Sequence, residues 1–138
     1  MFLAQIVVNG VTLFAGHGDE DRMRRINTSS FGIVQGSRVL FSDFADGGAM
    51  WTGQGPRESR FIVTFAEPFL DPPVVMVGIS MWDMDHKHNS RADISADAIT
   101  ERGFHIVFRT WGDSRVARVR ADWTAIGSVA SEDDWVLY

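Results

Sequence analysis

The stretch from Gly103 to Gly127, GFHIVFRTWGDSRVARVRADWTAIG, constrains the fold more than any other part of the chain. Phe104, Ile106 and Phe108 fall on one side of an extended backbone, and His105, Val107 and Arg109 on the other. Successive side chains of a strand point to opposite faces, so this alternation predicts a strand with one apolar face. Ala117, Val119, Ala121, Trp123 and Ala125 repeat the pattern, opposite Val116, Arg118, Arg120, Asp122 and Thr124. Between the two runs, Gly112-Asp113-Ser114 carries turn chemistry, because Gly tolerates positive φ and Asp bonds nearby backbone. The stretch therefore reads as a hairpin with a core-bound face and a wet face bearing Arg118 and Arg120. Such a hairpin needs further strands to cover its apolar side.

The rest of the chain offers them. Asn9-Gly10, a pair suited to a two-residue turn, joins Ala4–Val8 to Val11–Ala15 as an N-terminal hairpin. Gly16 to Ser30 holds HGDEDRMRR and reads as a solvated loop or one helical turn. Phe31–Val34 and Arg38–Phe44 read as short apolar pieces around Gly36, and Gly47–Pro56 as an irregular Gly-rich loop carrying Trp51. Arg60–Phe65 reads as a strand that ends before Pro68 and Pro72-Pro73, since Pro cannot donate to a ladder. Val74–Trp82 is apolar on both faces, the pattern of a strand buried centrally between two layers. Asp83–Asn89 is a polar turn, and Arg91–Ile99 alternates again with Ala92, Ile94, Ala96 and Ala98 on one face. Ser128–Asp134 is acidic, and Trp135 to Tyr138 gives the tail an apolar end. Strands separated by short turns, without helical stretches between them, predict an all-β antiparallel β-sandwich.

Composition removes several functions. Thirteen Lys and Arg against 18 Asp and Glu give a net charge of −5, which argues against phosphate-driven nucleic-acid binding. The absence of cysteine excludes disulfides, zinc thiolate sites and cysteine nucleophiles. No apolar run approaches the ~20 residues of a membrane span, so no membrane insertion is expected. MFLAQIVVNG lacks a basic start followed by a long apolar run, so no Sec signal peptide is expected either.

Three constellations carry potential chemistry. Asp83, Asp85, His86 and His88 are metal-type donors, but their spacing fits neither a zinc-protease helix nor a calcium loop. A hydrated turn without metal is the expectation. A glycosidase pair drawn from Asp83, Asp85, Asp93 and Asp113 would need a cleft holding two carboxylates about 5–9.5 Å apart. A small sandwich seldom builds one, and GxSxG is absent, so no catalytic residue and no cofactor is assigned. The third constellation suits sugars, whose C–H patches pack on aromatic faces and whose hydroxyls bond planar polar groups. Trp51, Trp82, Trp111 and Trp123 are candidate platforms. Periodicity assigns Trp123 to the core and leaves Trp111, beside the Gly112-Asp113 turn, as the better ligand contact.

The run from Phe65 onward resembles the H-type lectins, the family of the snail agglutinins and the discoidin C-terminal domain. The matching pieces are Phe65, Pro72-Pro73-Val74-Val75, Asp83, Asn89-Ser90-Arg91, Gly103-Phe104, Thr110-Trp111 and Trp123-Thr124-Ala125-Ile126. The resemblance is clear from about residue 57 to 127 and looser back to 31. It implies a six-stranded antiparallel β-sandwich over residues 31–127, assembled as a homotrimer. The extra hairpin in residues 1–30 would then serve attachment or assembly, and residues 128–138 form a tail. The resemblance further implies glycan ligands of galactose or N-acetylgalactosamine type, held in shallow sites near protomer boundaries. The Arg that contacts sugar hydroxyls falls at Arg91, and the Trp beside the sugar at Trp111. Two positions depart from the pattern: the snail-type His falls at Gly112, and an Asp from a Gly-containing loop falls near Gln54 in Gly53-Gln54-Gly55. The expected carbohydrate site is therefore Arg91, Trp111, Gly112, Asp113, Gly53 and Gln54. With no signal peptide expected, the hairpin suggests a spike on a virus-like particle that meets bacterial surface polysaccharide. The runner-up is a structural or adaptor module of such a particle without a sugar site.

Overall fold

The computed structural model describes residues 4–8, 11–15, 23–26 and 29–131, with only the backbone of the first two segments. Strands β1 (Ala4–Val8) and β2 (Val11–Ala15) pair antiparallel as expected; the Asn9-Gly10 turn lies outside the described residues. The polar segment 16–22 and the end of the tail, 132–138, also lie outside them.

Six longer strands follow: β3 (Phe31–Phe41), β4 (Arg57–Thr64), β5 (Val74–Met84), β6 (Asp93–Thr100), β7 (Gly103–Thr110) and β8 (Val116–Ser128). They form two three-stranded antiparallel sheets, in the orders β3-β8-β5 and β4-β7-β6. The sheets pack face to face as a sandwich. Phe104, Ile106 and Val63 of one sheet meet Ala121 and Ala125 of the other, with Phe65, Phe69 and the half-buried Trp123 filling in. A second cluster joins Phe108 to Val116, Val119 and Met50. Trp123 lies edge-on to Phe104, with ring centroids 5.2 Å apart, so its assignment to the core holds.

The central stretch is not a hairpin. β7 pairs with β4 and β6, whereas β8 pairs with β3 and β5, so the Trp111–Arg115 turn carries the chain from one sheet to the other. Both apolar faces turn inward over Phe104–Phe108 and Val119–Ala125, but a register shift against β5 brings Val116, expected on the wet face, into the core beside Phe108 and Val119. The faces meet across the sandwich rather than lying side by side, and alternation is identical in the two cases.

Four local expectations also change. β3 is one continuous strand through Gly36, because Trp123 stands opposite: a Cβ at Gly36 would lie 2.5 Å from the indole. The expected Arg38–Phe44 piece ends in α1 (Asp43–Asp46), and the Gly47–Pro56 region is less irregular than expected, with α2 (Ala49–Thr52) making one helical turn. Asp43 fixes this pair by accepting the Met50 backbone N–H at 2.9 Å. Val74–Trp82 is not buried centrally. It lies in β5, at the edge of its sheet, with Val74, Met76 and Trp82 exposed. Finally, β6 loses its alternation at Ala98, where φ is 51° and the register with β7 shifts, so Ile99 and not Ala98 packs on the core.

Candidate functional site

One pole of the sandwich gathers the ends of β5 and β7 and the starts of β4, β6 and β8. The expected sugar residues meet there. Thr110, the last residue of β7, points inward and donates from Oγ1 to the Arg91 carbonyl at 2.6 Å. Ser114 is fully buried; its Oγ donates to the Asn89 carbonyl at 2.6 Å and accepts the Arg91 N–H at 3.0 Å. Two hydroxyls thus staple the Asn89–Arg91 segment to the β7–β8 turn from beneath. A buried hydroxyl left unbonded costs about 1–3 kcal/mol, so both ends of each bond hold the turn in place.

Above the staple, the Arg91 guanidinium bonds the Asp113 carboxylate, Nη1 to Oδ1, at 2.5 Å. That bond, more than any other influence, holds the Asp113 carboxyl below the usual carboxylate range. Gly112 makes the approach feasible. Its φ is +67°, and an added Cβ would sit 2.9 Å from Arg91 Nη1. Any side chain at position 112 would therefore intrude on the space that the guanidinium occupies. Trp111 is 45% exposed beside them, an indole available to a ligand.

The Gly53-Gln54-Gly55 loop joins this group through its backbone. Gly55 donates its N–H to the Gly112 carbonyl at 2.9 Å, and its own φ is +75°. Arg57 completes the clamp, with Nη2 reaching the Gly112 carbonyl at 3.2 Å and Nε the Gly55 carbonyl at 3.0 Å. Its Nη1 bonds the Met50 and Ala49 carbonyls at 3.1 and 3.3 Å. Arg57 is a positioning residue that sequence reasoning misses. Its place just after Pro56 was the available signal, but an Arg at a strand start is ordinarily solvated. Gln54 is exposed, and among the described residues nothing bonds its side-chain amide.

The other candidates fall elsewhere. Trp51 packs edge-on against Phe44 at 5.0 Å with the Arg115 guanidinium 5.3 Å above it, an anchor for the helical turns. Trp82 is 65% exposed on the edge strand of the opposite sheet. Asp83 pairs with Arg118 at 3.3 Å. Asp85 accepts the Lys87 N–H at 3.0 Å and meets His88 Nδ1 at 2.6 Å; these bonds, the backbone one first, lower its pKa. Asp83 thus lies near the end of β5 against β8, Asp85–His88 forms a turn bonded around the Asp85 carboxylate, and no group of three or more metal-type donors converges among the described residues. Asp93 pairs with Arg109, at 3.7 Å, rather than with a second carboxylate.

Comparison with known proteins follows the same residues. Residues 60–126 match the family model described as the H-type lectin domain. A Fuscovulum blasticum protein described as ATP synthase subunits region ORF 7 is 69% identical over 109 residues, 79% of this chain and 95% of that protein. A discoidin-1 polypeptide of Dictyostelium discoideum is 35% identical over 81 residues, 58% of this chain, and this chain spans 32% of that protein's length. A solved structure of discoidin II from Dictyostelium discoideum superposes with a TM-score of 0.63 at 24% identity, over 76% of this chain and 40% of that one. The likeness to discoidin II establishes the fold.

Proposed function

The chain belongs to the H-type lectin domain family, and from that premise we propose that it binds glycans at the pole formed by Arg91, Trp111 and Asp113. Its domain is a lectin-type carbohydrate-binding fold. The observation that carries the site is the Arg91–Asp113 pair, 2.5 Å apart, beside a half-exposed indole. Guanidinium and carboxylate supply fixed donors and acceptors for hydroxyls, and the indole supplies a face for C–H groups. Gly53 and Gln54, clamped through Gly55 and Arg57, form the adjoining wall. The sugar is of galactose or N-acetylgalactosamine type or belongs to a bacterial surface polysaccharide, with Gln54 and Asp113 substituting for the family's contacts. Binding proceeds without catalysis and needs no cofactor.

The working form is a homotrimer. The outer face of the β3-β8-β5 sheet supports this, because Ile33, Ile126 and Val74 lie in one cross-strand row with Met76 in the next. Ile33 is 65% and Met76 55% exposed, and so wide an apolar face suits cover by further copies. Three weak sites then act together through effective concentration. Phe31 and Ser128 pair at the pole opposite the site, so residues 1–30 and the tail join the domain there. That arrangement suits a spike held to a particle by residues 1–30, outside the cell, with its sugar site directed away toward a host surface.

The test is a glycan array probed with the intact oligomer; the absence of any bound sugar would sink the lectin reading. Such a result would favour the second reading, a structural or adaptor module. The pairing of Arg91 with Asp113 speaks for that alternative.

A further inference from the structure

The outer face of the β4-β7-β6 sheet continues directly from the Trp111 pole. Alternation puts Arg109 and Trp111 of the β7 segment on this face, and the register aligns Glu58, Arg109 and Asp93 across the three strands. The next rows place Arg60 opposite Val107 and Ser95, then Ile62 opposite His105 and Asp97. Arg109 bonds Glu58 at 3.0 Å and approaches Asp93 at 3.7 Å. Arg60 bonds Glu58 at 3.1 Å and Asp97 at 3.0 Å, and His105 lies 3.8 Å from Asp97. The five Arg, Asp and Glu side chains are 41–52% exposed, yet Val107 in their midst is fully buried. The long aliphatic stems therefore lie along the sheet rather than standing away from it. Where this surface meets Trp111, a shallow cleft of about 290 Å³ opens between Pro56, Glu58, Arg109 and the indole, near the lower end of ligand-pocket sizes.

We propose that this ladder is a second subsite, so that the ligand is an uncharged oligosaccharide running from Trp111 across Glu58 and Arg109. The proposal rests on the lectin reading of the Trp111 pole. Charge pairing selects the ligand class. A hydroxyl both donates and accepts, so one sugar hydroxyl bridges a paired guanidinium and carboxylate without breaking the pair. A uronate carboxylate can only accept, and it must displace Glu58 or Asp93 from Arg109 and leave that acid beside a like charge. Spaced donors and acceptors along a flat sheet also fit successive sugar units rather than one.

The experiment is calorimetry with linear galactose, N-acetylgalactosamine, glucose and mannose oligomers of one to four units, with uronate oligomers of the hexoses alongside. For the sugar held at Trp111, affinity should rise about tenfold between one and three units, and the uronate series should bind about tenfold more weakly. The double variant Arg109→Ala/Glu58→Ala, which leaves net charge unchanged, should remove the gain with length and hold single-sugar affinity within about twofold. An unchanged thermal transition shows that the variant is folded. Single-sugar binding without a length effect would overturn the second subsite alone, as would a length effect surviving in the variant. Uronates bound as tightly as neutral chains would overturn the ligand class. Failure of every sugar to bind would remove the lectin reading and this inference together.

Discussion

The two outer faces of the sandwich are built from the same antiparallel geometry and carry opposite chemistry. On the β3-β8-β5 sheet the edge strands turn Phe31, Ile33, Val39, Val74 and Met76 outward, around a polar strip where Gln35 and Ser37 of β3 and Ser80 and Asp83 of β5 meet Thr124, Asp122, Arg120 and Arg118 of β8. On the β4-β7-β6 sheet the outward residues are Glu58, Arg60, Asp93, Asp97 and Arg109, tied into one network of ion pairs. An apolar surface gains by excluding water, and a polar one by exchanging it for other hydroxyls. On the proposed reading, further copies cover the apolar face and the polar face stays open, which divides assembly from recognition between the two layers. In a chain of net charge −5 the arginines at the candidate pole are matched locally, Arg91 and Arg109 by carboxylates, Arg57 by carbonyls and Arg115 by the Trp51 ring.

The largest effect should come from the layer that both faces share. Phe108 is fully buried and packs on Phe41 with ring centroids 5.4 Å apart. Phe108→Ala should cost about 3–5 kcal/mol in denaturant unfolding and abolish assembly and binding together. The two faces should then separate. Ile33→Asp with Met76→Asp should convert the oligomer to monomer in light scattering at micromolar concentration, while the far-ultraviolet circular dichroism stays unchanged. An oligomer that survives would remove the apolar face from the assembly. Arg91→Ala with Trp111→Ala should do the reverse, weakening glycan binding at least about 100-fold, or about 2.7 kcal/mol, with the oligomer intact. Retained binding would show that the sugar sits elsewhere.

A smaller effect isolates Gly112. An Ala there must hold positive φ, a cost of about 1–2 kcal/mol, and its methyl displaces the Arg91 guanidinium. Glycan affinity should fall about tenfold, and an unaffected Kd would show that the Arg91–Asp113 pairing is irrelevant to the ligand. The smallest effect is that of pH. Asp113 has a depressed pKa in the folded protein, so its contribution is complete above the unfolded carboxylate value and disappears as pH falls through the depressed one. The difference in binding between the wild type and Asp113→Asn should therefore stay flat from about pH 8 to about pH 5 and shrink only in stronger acid. A change between about pH 5 and 7 would point to a histidine instead.

Much of the inner surface was legible in the chain. The inward positions of Phe104, Ile106 and Phe108, and of Val119, Ala121, Trp123 and Ala125, follow from alternation, which a strand imposes whatever it pairs with; Val116 escapes it because the register shifts there. The family resemblance also put Arg91 and Trp111 in one expected site, and the structure ties the Asn89–Arg91 segment to the turn that carries Trp111. Arg57 escaped notice because its bonds go to carbonyls of Ala49, Met50, Gly55 and Gly112, and backbone acceptors leave no mark in a sequence. The doubly apolar pattern of Val74–Trp82 misled for a related reason. Apolar residues on two faces signal cover on both, but not whether the cover comes from the same chain.

The sequence by itself determined that Gly103–Gly127 holds two strands with apolar faces toward a common core, and that a turn at Gly112-Asp113 links them. Tertiary structure decided that these strands belong to different sheets. The reason is physical: period two records which side of a strand is dry, and a strand's dry side is the same whether its neighbour pairs beside it or packs across from it. That decision puts Trp111, Asp113 and Arg91 at the mouth between two layers, where the Gly53–Gly55 loop reaches them.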